Sequence, residues 1–286
     1  MNQSRVLKPT SLNEAISILK KFGDESRVIA GGQSLVPLIS LGLADPNFLV
    51  SLENCRDLIE VTADENFIEI GAMVTVSQIL KSDLIRDSLP VLHCAAKNVA
   101  TPHVRNFGTL VGNVCHADPS SDVIPSLLCC DARVHLVSTE QSRVINLDDY
   151  IEAPFMISIK EGELVTAVSV PRTESNELFS YKKVARRAGD LGIATCAVIL
   201  KVDKKLLTDV KISLGGYVQR ATRLRNIEKK LINLSVDDFH LRINETKIID
   251  EVNQILLPAG GLSGDYLSET FDRLVRSTLE SALNGN

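Results

Sequence analysis

The stretch Val28-Ile29-Ala30-Gly31-Gly32-Gln33-Ser34-Leu35 runs an apolar segment straight into two glycines, an amide and a hydroxyl. Glycine lets a backbone approach a ligand closely and take positive φ, so the N–H groups of such a turn can surround an anion. A second element of this kind, Thr109-Leu110-Val111-Gly112-Asn113, precedes His116-Ala117-Asp118-Pro119-Ser120-Ser121-Asp122. One glycine pair alone reads as a tight turn. Two such elements, each after a short apolar run, describe a large dinucleotide whose diphosphate is clamped from both sides. Gln33 and Ser34 add an amide and a hydroxyl suited to bridging phosphate oxygens without a metal. The Gly-x-Gly-x-x-Gly fingerprint is absent, which argues against a Rossmann domain.

Other chemistry finds little footing. None of His93, His103, His116, His135 and His240 pairs with another at metal-ligand spacing, and no Gly-x-Ser-x-Gly elbow occurs. Cys55, Cys94, Cys115, Cys129, Cys130 and Cys196 show no Cys-x-x-Cys spacing, so no zinc site or iron–sulfur cluster assembles from local sequence, and they read as reduced core thiols. No catalytic group and no metal ligand is assigned, and the chemistry must come from a bound cofactor. With 31 basic against 36 acidic residues and a net charge of −5, nothing marks a nucleic-acid surface. No apolar run reaches membrane-spanning length and the start lacks the long apolar stretch of a secretion signal, so a soluble cytoplasmic protein is expected.

The elements that must position these turns follow from periodicity and punctuation. Ser11 and Glu14 form a capping-box pattern that starts a helix running to Lys21 and stopping near Gly23. Val28 to Ala30 is a short buried strand, and a helix carrying Leu35, Leu38, Ile39 and Leu41 follows Ser34, so the first glycine turn lies at a helix entrance. Runs 48–52, 58–61 and 67–70 read as strands with a hairpin turn at 63–66. Helices are expected over 75–80, over 84–99 where Pro90 should kink or split the helix, and over 121–130, with strands at 133–137 and 164–170. The polar link Pro171 to Glu177 reads as a domain boundary. Beyond it, segments 179–185, 193–202 and 209–217 suggest an antiparallel sheet, followed by helices near 223–232, 246–255 and 267–283.

On the sequences AGGQSL at 30–35, RNFGTLVGN at 105–113, ADPSSD at 117–122 and YKKVARRAGD at 181–190, in order and over essentially the whole length, the chain resembles the FAD-binding medium subunit of the molybdenum hydroxylases. That group includes carbon monoxide dehydrogenase, xanthine dehydrogenase and dehydrogenases of N-heterocycles. The resemblance implies an α+β fold: a two-lobed PCMH-type FAD-binding region, residues 1–57 and 58–176, then residues 177–286 as a C-terminal domain of the CO dehydrogenase flavoprotein type. That domain has a three-stranded antiparallel sheet and helices.

The resemblance also carries site residues. Residues 28–35, Thr101, Thr109, Gly112 and Asn113 would bind the cofactor, with Val111 standing where the family has the first of two glycines. A β-branched residue would be strained there if positive φ were required, and Gly112 and Asn113 would then remain available. Asp122 would accept from a ribose or ribityl hydroxyl, although its residue type and place also suit an N-cap. His116, Asp118 and Ser120 are further candidates from that loop. Lys182 would place a positive charge near the flavin, whereas Lys182-Lys183 with Arg186-Arg187 reads by itself as a solvated basic run. Leu164, Val165 and Leu191 would cover the cofactor, or be ordinary core.

The implied function is electron transfer by an oxidoreductase subunit that carries FAD. It would pass electrons from a small subunit with two [2Fe-2S] clusters to an external acceptor, while a large subunit with a molybdenum-pterin cofactor oxidises an N-heterocycle, purine, aldehyde or CO. The expected assembly is a heterotrimer or a dimer of heterotrimers. Two other readings remain: a self-contained FAD-dependent oxidase or reductase, and a non-enzymatic nucleotide-binding module.

Overall fold

The computed structural model describes residues 4–174, 176–258 and 260–285; the remaining positions and the side chain of His240 lie outside the described residues. The chain forms two compact units, one of Met1–Lys81, Thr101–His116 and Ala132–Pro171, the other of Ser82–Ala100, Ala117–Asp131 and Arg172–Asn286. No helix among the described residues is long and apolar enough to cross a membrane.

In the first unit, β1 (Arg5–Leu7), β2 (Ser26–Ile29) and β3 (Phe48–Ser51) make a parallel sheet in the order β1-β3-β2. Parallel strands need crossovers, and the helix Leu12–Phe22 supplies the one from β1 to β2, on either side of β3, burying Ala15, Ile16 and Leu19. Ser11 accepts the Glu14 N–H at 3.3 Å, while the Glu14 carboxylate reaches the N–H of Thr10 at 2.8 Å instead of that of the cap residue. Gly23, at φ 47, ends the helix and donates to the Leu19 carbonyl.

A second, antiparallel sheet follows the order β4-β5-β10-β6-β7, built from β4 (Val61–Ala63), β5 (Phe67–Gly71), β6 (Arg133–Val137), β7 (Ser142–Asn146) and β10 (Leu164–Pro171). Between β7 and β10 lies a small hairpin, β8 (Ile151–Ala153) and β9 (Met156–Ile157). Alternation along the strands buries Ile68, Ile70, Val134, Val168 and Val170 on one face. The strand expected over 58–61 is corrected: Arg56–Leu58 is a single 3-10 turn and pairing begins only at Val61, because Leu58 is held by its own turn to Cys55.

Arg143 on β7 clasps Glu163 with two hydrogen bonds of 2.8 Å and also donates to the Ser158 carbonyl, and Glu163 accepts the Lys160 N–H at 2.7 Å. The Arg143 hydrogen bonds, helped by that N–H, hold the Glu163 carboxyl below its ordinary value of 4.5 against the opposing effect of burial. The folded state therefore binds fewer protons than the unfolded one. The stabilisation is present above pH 4.5 and is lost as pH falls through the folded-state value. Glu163→Gln is expected to lower stability at neutral pH and to flatten the acid limb of thermal melts recorded from pH 7 to 3; unchanged acid sensitivity would assign that limb to other carboxylates.

In the second unit, β11 (Glu177–Val184), β12 (Ala194–Asp203), β13 (Leu206–Gly216) and β14 (Thr222–Arg223) form an antiparallel sheet in sequence order, the expected three strands plus a two-residue edge. One face of β12 puts Cys196, Val198 and Leu200 into a core with Leu267, Phe271 and Val275 of the helix Gly264–Asn284. From the other face the Ala197 carbonyl accepts from Cys129 in the helix Val123–Cys129. Covered on both faces, β12 reads in sequence as a continuous apolar run rather than an alternating one. Pro90 does not kink one helix but starts a new one: Asp83–Ser88 ends before Leu89, and Pro90–Lys97 has the proline in its first turn. The helix Phe239–Glu245 has no counterpart in the sequence reading.

Candidate functional site

The first turn joins β2 to the helix Leu35–Ser40, both in the first unit. Gly32 takes φ 70, a conformation natural to glycine. Gly31 is needed for a different reason: a β-carbon there would lie 1.8 Å from the Phe107 carbonyl oxygen. The Gln33 amide closes its own turn by donating to the Gly31 carbonyl at 3.1 Å. Gly32 and Ser34 accept through their carbonyls from Val36 and Leu38. Among the described residues the N–H groups of Gly32, Gln33, Ser34 and Leu35 donate to nothing, and the Ser34 hydroxyl makes no cap bond. Half-buried, consecutive and unspent, these amides are of the kind that binds anions.

The second turn has no loop of its own. Thr109 is bridged to Thr75, with Leu110 donating to the Val74 carbonyl and Val76 to that of Gly108, and the helix Leu110–His116 starts at once. Thr109 caps it: its Oγ1 accepts from Gly112 N–H at 3.0 Å and its carbonyl from Asn113 N–H at 3.1 Å. The amides expected to remain available at Gly112 and Asn113 are therefore already engaged, and those of Thr109 and Val111 are the unspent ones. Val111 is buried in the helix and is not among the residues with positive φ, so its β-branch meets no strain.

The two turns touch. A β-carbon on Gly112 would lie 3.9 Å from Cβ of Ala30, and one on Gly108 would lie 3.6 Å from Cγ of Gln33. Elements far apart in sequence are thus brought against each other within one unit. Nearby positions of that unit vary in role. Val28 and Ile29 pair with Val50 and Ser51 in the parallel sheet. Thr101 precedes the helix Pro102–Phe107, exposed and without a side-chain cap bond. His116 packs its ring 5.2 Å from that of Phe155. Leu164 and Val165 are buried at 3% and 4% exposure, opposite Val137 and Leu136, so most of each side chain belongs to the sheet.

The remaining candidates belong to the second unit. Asp118 accepts the Ser120 N–H at 2.8 Å, a local turn. Asp122 is the centre of a buried cluster: Lys183 Nζ lies 2.9 Å from its carboxylate and the Tyr181 hydroxyl donates to it at 2.8 Å. Lys183 also donates to the Asn98 carbonyl at 3.1 Å. Burial pushes the Asp122 carboxyl above its ordinary value, outweighing Lys183 and Tyr181. Burial, with Asp122 beside it, likewise raises the Tyr181 hydroxyl well above its own. Asp122 does stand at the N-cap position of the helix Val123–Cys129, but its side chain makes no cap bond; Ser121 Oγ accepts the Ile124 N–H instead, at 3.2 Å.

The basic run splits by strand alternation. Lys182 turns to the other face of β11 and donates to the carbonyl and hydroxyl of Ser277 at 2.9 and 2.5 Å. Lys183 is the lysine beside Asp122, with its side chain 8% exposed, so neither reading of the run anticipated the pairing. Tyr181 was missed as well. The i, i+2 spacing of Tyr181 and Lys183 on a strand was the available signal, since both must share a face. Leu191 is 66% exposed in the connection from β11 to β12.

Among the described residues no group of His, Cys, Asp or Glu is placed to hold a metal ion, and all six cysteines are free thiols. The adjoining turns, with unspent amides and glycines where a β-carbon would intrude, fit a diphosphate. Fold and site thus define a dinucleotide-binding subunit whose reactive group is its cofactor.

Residues 2–173 match the FAD binding domain in molybdopterin dehydrogenase, and residues 179–279 match the CO dehydrogenase flavoprotein C-terminal domain. The chain belongs to the family of FAD-binding medium subunits of the molybdenum hydroxylases, and is a subunit of an FAD-dependent oxidoreductase. It is 32% identical over 247 residues to the glyceraldehyde dehydrogenase medium chain of Sulfolobus acidocaldarius, covering 86% of this chain and 87% of that one. It is 30% identical over 277 residues to the carbon monoxide dehydrogenase medium chain of Afipia carboxidovorans, covering 96% and 95%. Among solved structures, reconstituted CO dehydrogenase from Oligotropha carboxidovorans superposes with a TM-score of 0.93 at 27% identity, over 99% of this chain and 98% of that chain.

Proposed function

We propose that the chain is the electron-transfer subunit of a three-component molybdenum hydroxylase, taking electrons from a partner with two [2Fe-2S] clusters and delivering them to an external acceptor. Substrate oxidation would occur at a molybdenum-pterin centre in a large partner subunit. Relatives named for glyceraldehyde, nicotine, xanthine and carbon monoxide support a small aldehyde, N-heterocycle, purine or CO as substrate. Bound FAD would supply the redox chemistry, accepting electrons singly and releasing them in pairs.

The observation that carries this reading is the junction of the two amide-lined turns within the FAD-binding family fold. The amides of Gly32, Gln33, Ser34 and Leu35, with those of Thr109 and Val111, hold the diphosphate. Asp122, kept in place by Tyr181 and Lys183, has lone pairs left to accept from a sugar-chain hydroxyl. Thr101, His116, Asp118, Ser120, Leu164, Val165 and Leu191 remain as further contacts.

The complex should be isolated intact from its host and analysed for absorbance, metals and mass. Expected are flavin absorbance that follows this chain on subunit separation, molybdenum and iron that follow two other chains, and a mass fitting a dimer of cytoplasmic heterotrimers. A purified chain that oxidises an organic substrate unaided would overturn the reading in favour of a self-contained oxidase.

A further inference from the structure

Phe155 holds a backbone conformation that its residue type disfavours. It follows Pro154 in the two-residue connection of the β8–β9 hairpin, where Ala153 pairs with Met156, and its φ is 59. Proline followed by positive φ is a setting that selects glycine or asparagine. A bulky residue kept there against strain is kept for what its side chain touches. Within the chain it touches little, since Phe155 is 59% exposed and its ring meets that of His116 at 5.2 Å and a tilt of 53°.

The hairpin is nevertheless anchored at its base. Tyr150, fully buried, donates its hydroxyl to Cys115 Sγ at 3.5 Å, and Ser158 N–H donates to the Tyr150 carbonyl at 2.7 Å. Cys115 and His116 end the helix that begins at the second amide-lined turn, all in the first unit. At the helical rise, His116 stands about 9 Å along the axis from Leu110. An exposed ring in a strained backbone conformation therefore stands beside the end of the helix whose start forms the second amide-lined turn.

We propose that Phe155 is a stacking residue whose open face takes an aromatic ring of the bound dinucleotide, a proposal that rests on the assignment of the adjoining turns to FAD. Stacking needs only a flat π-face and no hydrogen-bond partner, and phenylalanine brings that face at low entropic cost.

The test uses the whole chain of residues 1–286, as wild type, Phe155→Gly and Phe155→Trp, titrated with FAD by flavin fluorescence and with ADP and FMN separately by calorimetry. Glycine relieves the backbone at φ 59, so the apo melting temperature of Phe155→Gly should hold or rise. Its FAD affinity should nevertheless fall by about fivefold or more, the effect of losing one stacked ring, with tryptophan restoring it. Weakened ADP binding would place the adenine on Phe155, and weakened FMN binding the isoalloxazine; either supports the proposal. Unchanged affinity for all three ligands would overturn it, as would normal FAD binding with loss of partner chains on purification, which would make the ring a protein contact. A wild-type chain that takes up no FAD would instead fail the cofactor assignment itself.

Discussion

Gly31→Ala is expected to abolish retention of FAD, with affinity reduced by at least about 100-fold, or about 2.7 kcal/mol. The added β-carbon would sit 1.8 Å from the Phe107 carbonyl oxygen and 2.5 Å from its carbon. Both are backbone atoms that no rotamer change can move aside, so the turn must lift off the helix Pro102–Phe107 and the two rows of amides separate. Overpacking of this kind also costs about 1–3 kcal/mol of stability. Two controls divide the effect. Gly42 has φ 70 with nothing within 4 Å of a β-carbon, so Gly42→Ala isolates the backbone penalty of about 1–2 kcal/mol and should leave FAD binding intact. Gly32→Ala adds the same penalty plus a 3.2 Å approach to the tip of Val36, which can yield, and should fall in between. Flavin fluorescence titration and thermal melts read both quantities. Gly31→Ala that binds FAD like the wild type would refute the adjoining-turn cradle.

Lys183→Met should cost about 3–5 kcal/mol of folding stability, because it strands the Asp122 carboxylate in a site where both side chains are under 10% exposed. Removing both charges, as in Asp122→Asn with Lys183→Met, should recover most of that loss, since the penalty comes from the unpaired charge rather than from the absent lysine. Tyr181→Phe removes one hydrogen bond to a charged group and should cost about 1.5–3 kcal/mol. Urea unfolding of the single and double variants gives the coupling directly. The pH dependence has a defined sign. Asp122 in the folded chain lies above its ordinary value of 3.8, so the folded state holds its proton more tightly than the unfolded one. That contribution is complete below pH 3.8 and fades as pH rises through the folded-state value. Without Lys183 the folded value rises further and the fade extends to higher pH. A Lys183→Met variant as stable as the double variant across pH 5 to 8 would show the pair to be energetically idle.

Much of the site was written locally. The glycine pair after β2, the cap at Ser11 and Glu14, and the alternating strands of the second sheet depend on neighbours within a few residues, where backbone sterics and side-chain periodicity act directly. That locality is why the first turn could be recognised before any packing was known. The helices Pro102–Phe107 and Leu110–His116 were hidden, since each is under three turns long and its apolar residues serve contacts to distant strands rather than a repeating face.

What the sequence by itself determined was the presence of two glycine-bearing turns, the succession of elements around them and the family to which the chain belongs. Only the tertiary structure decided which amides stay free, that Lys183 and not Lys182 meets Asp122, and that Ser82–Ala100 and Ala117–Asp131 join the unit of Arg172–Asn286. The reason is physical: a residue's type fixes which bonds and conformations are open to it, but a hydrogen bond or a buried ion pair is settled by whichever partner long-range packing brings within about 3 Å.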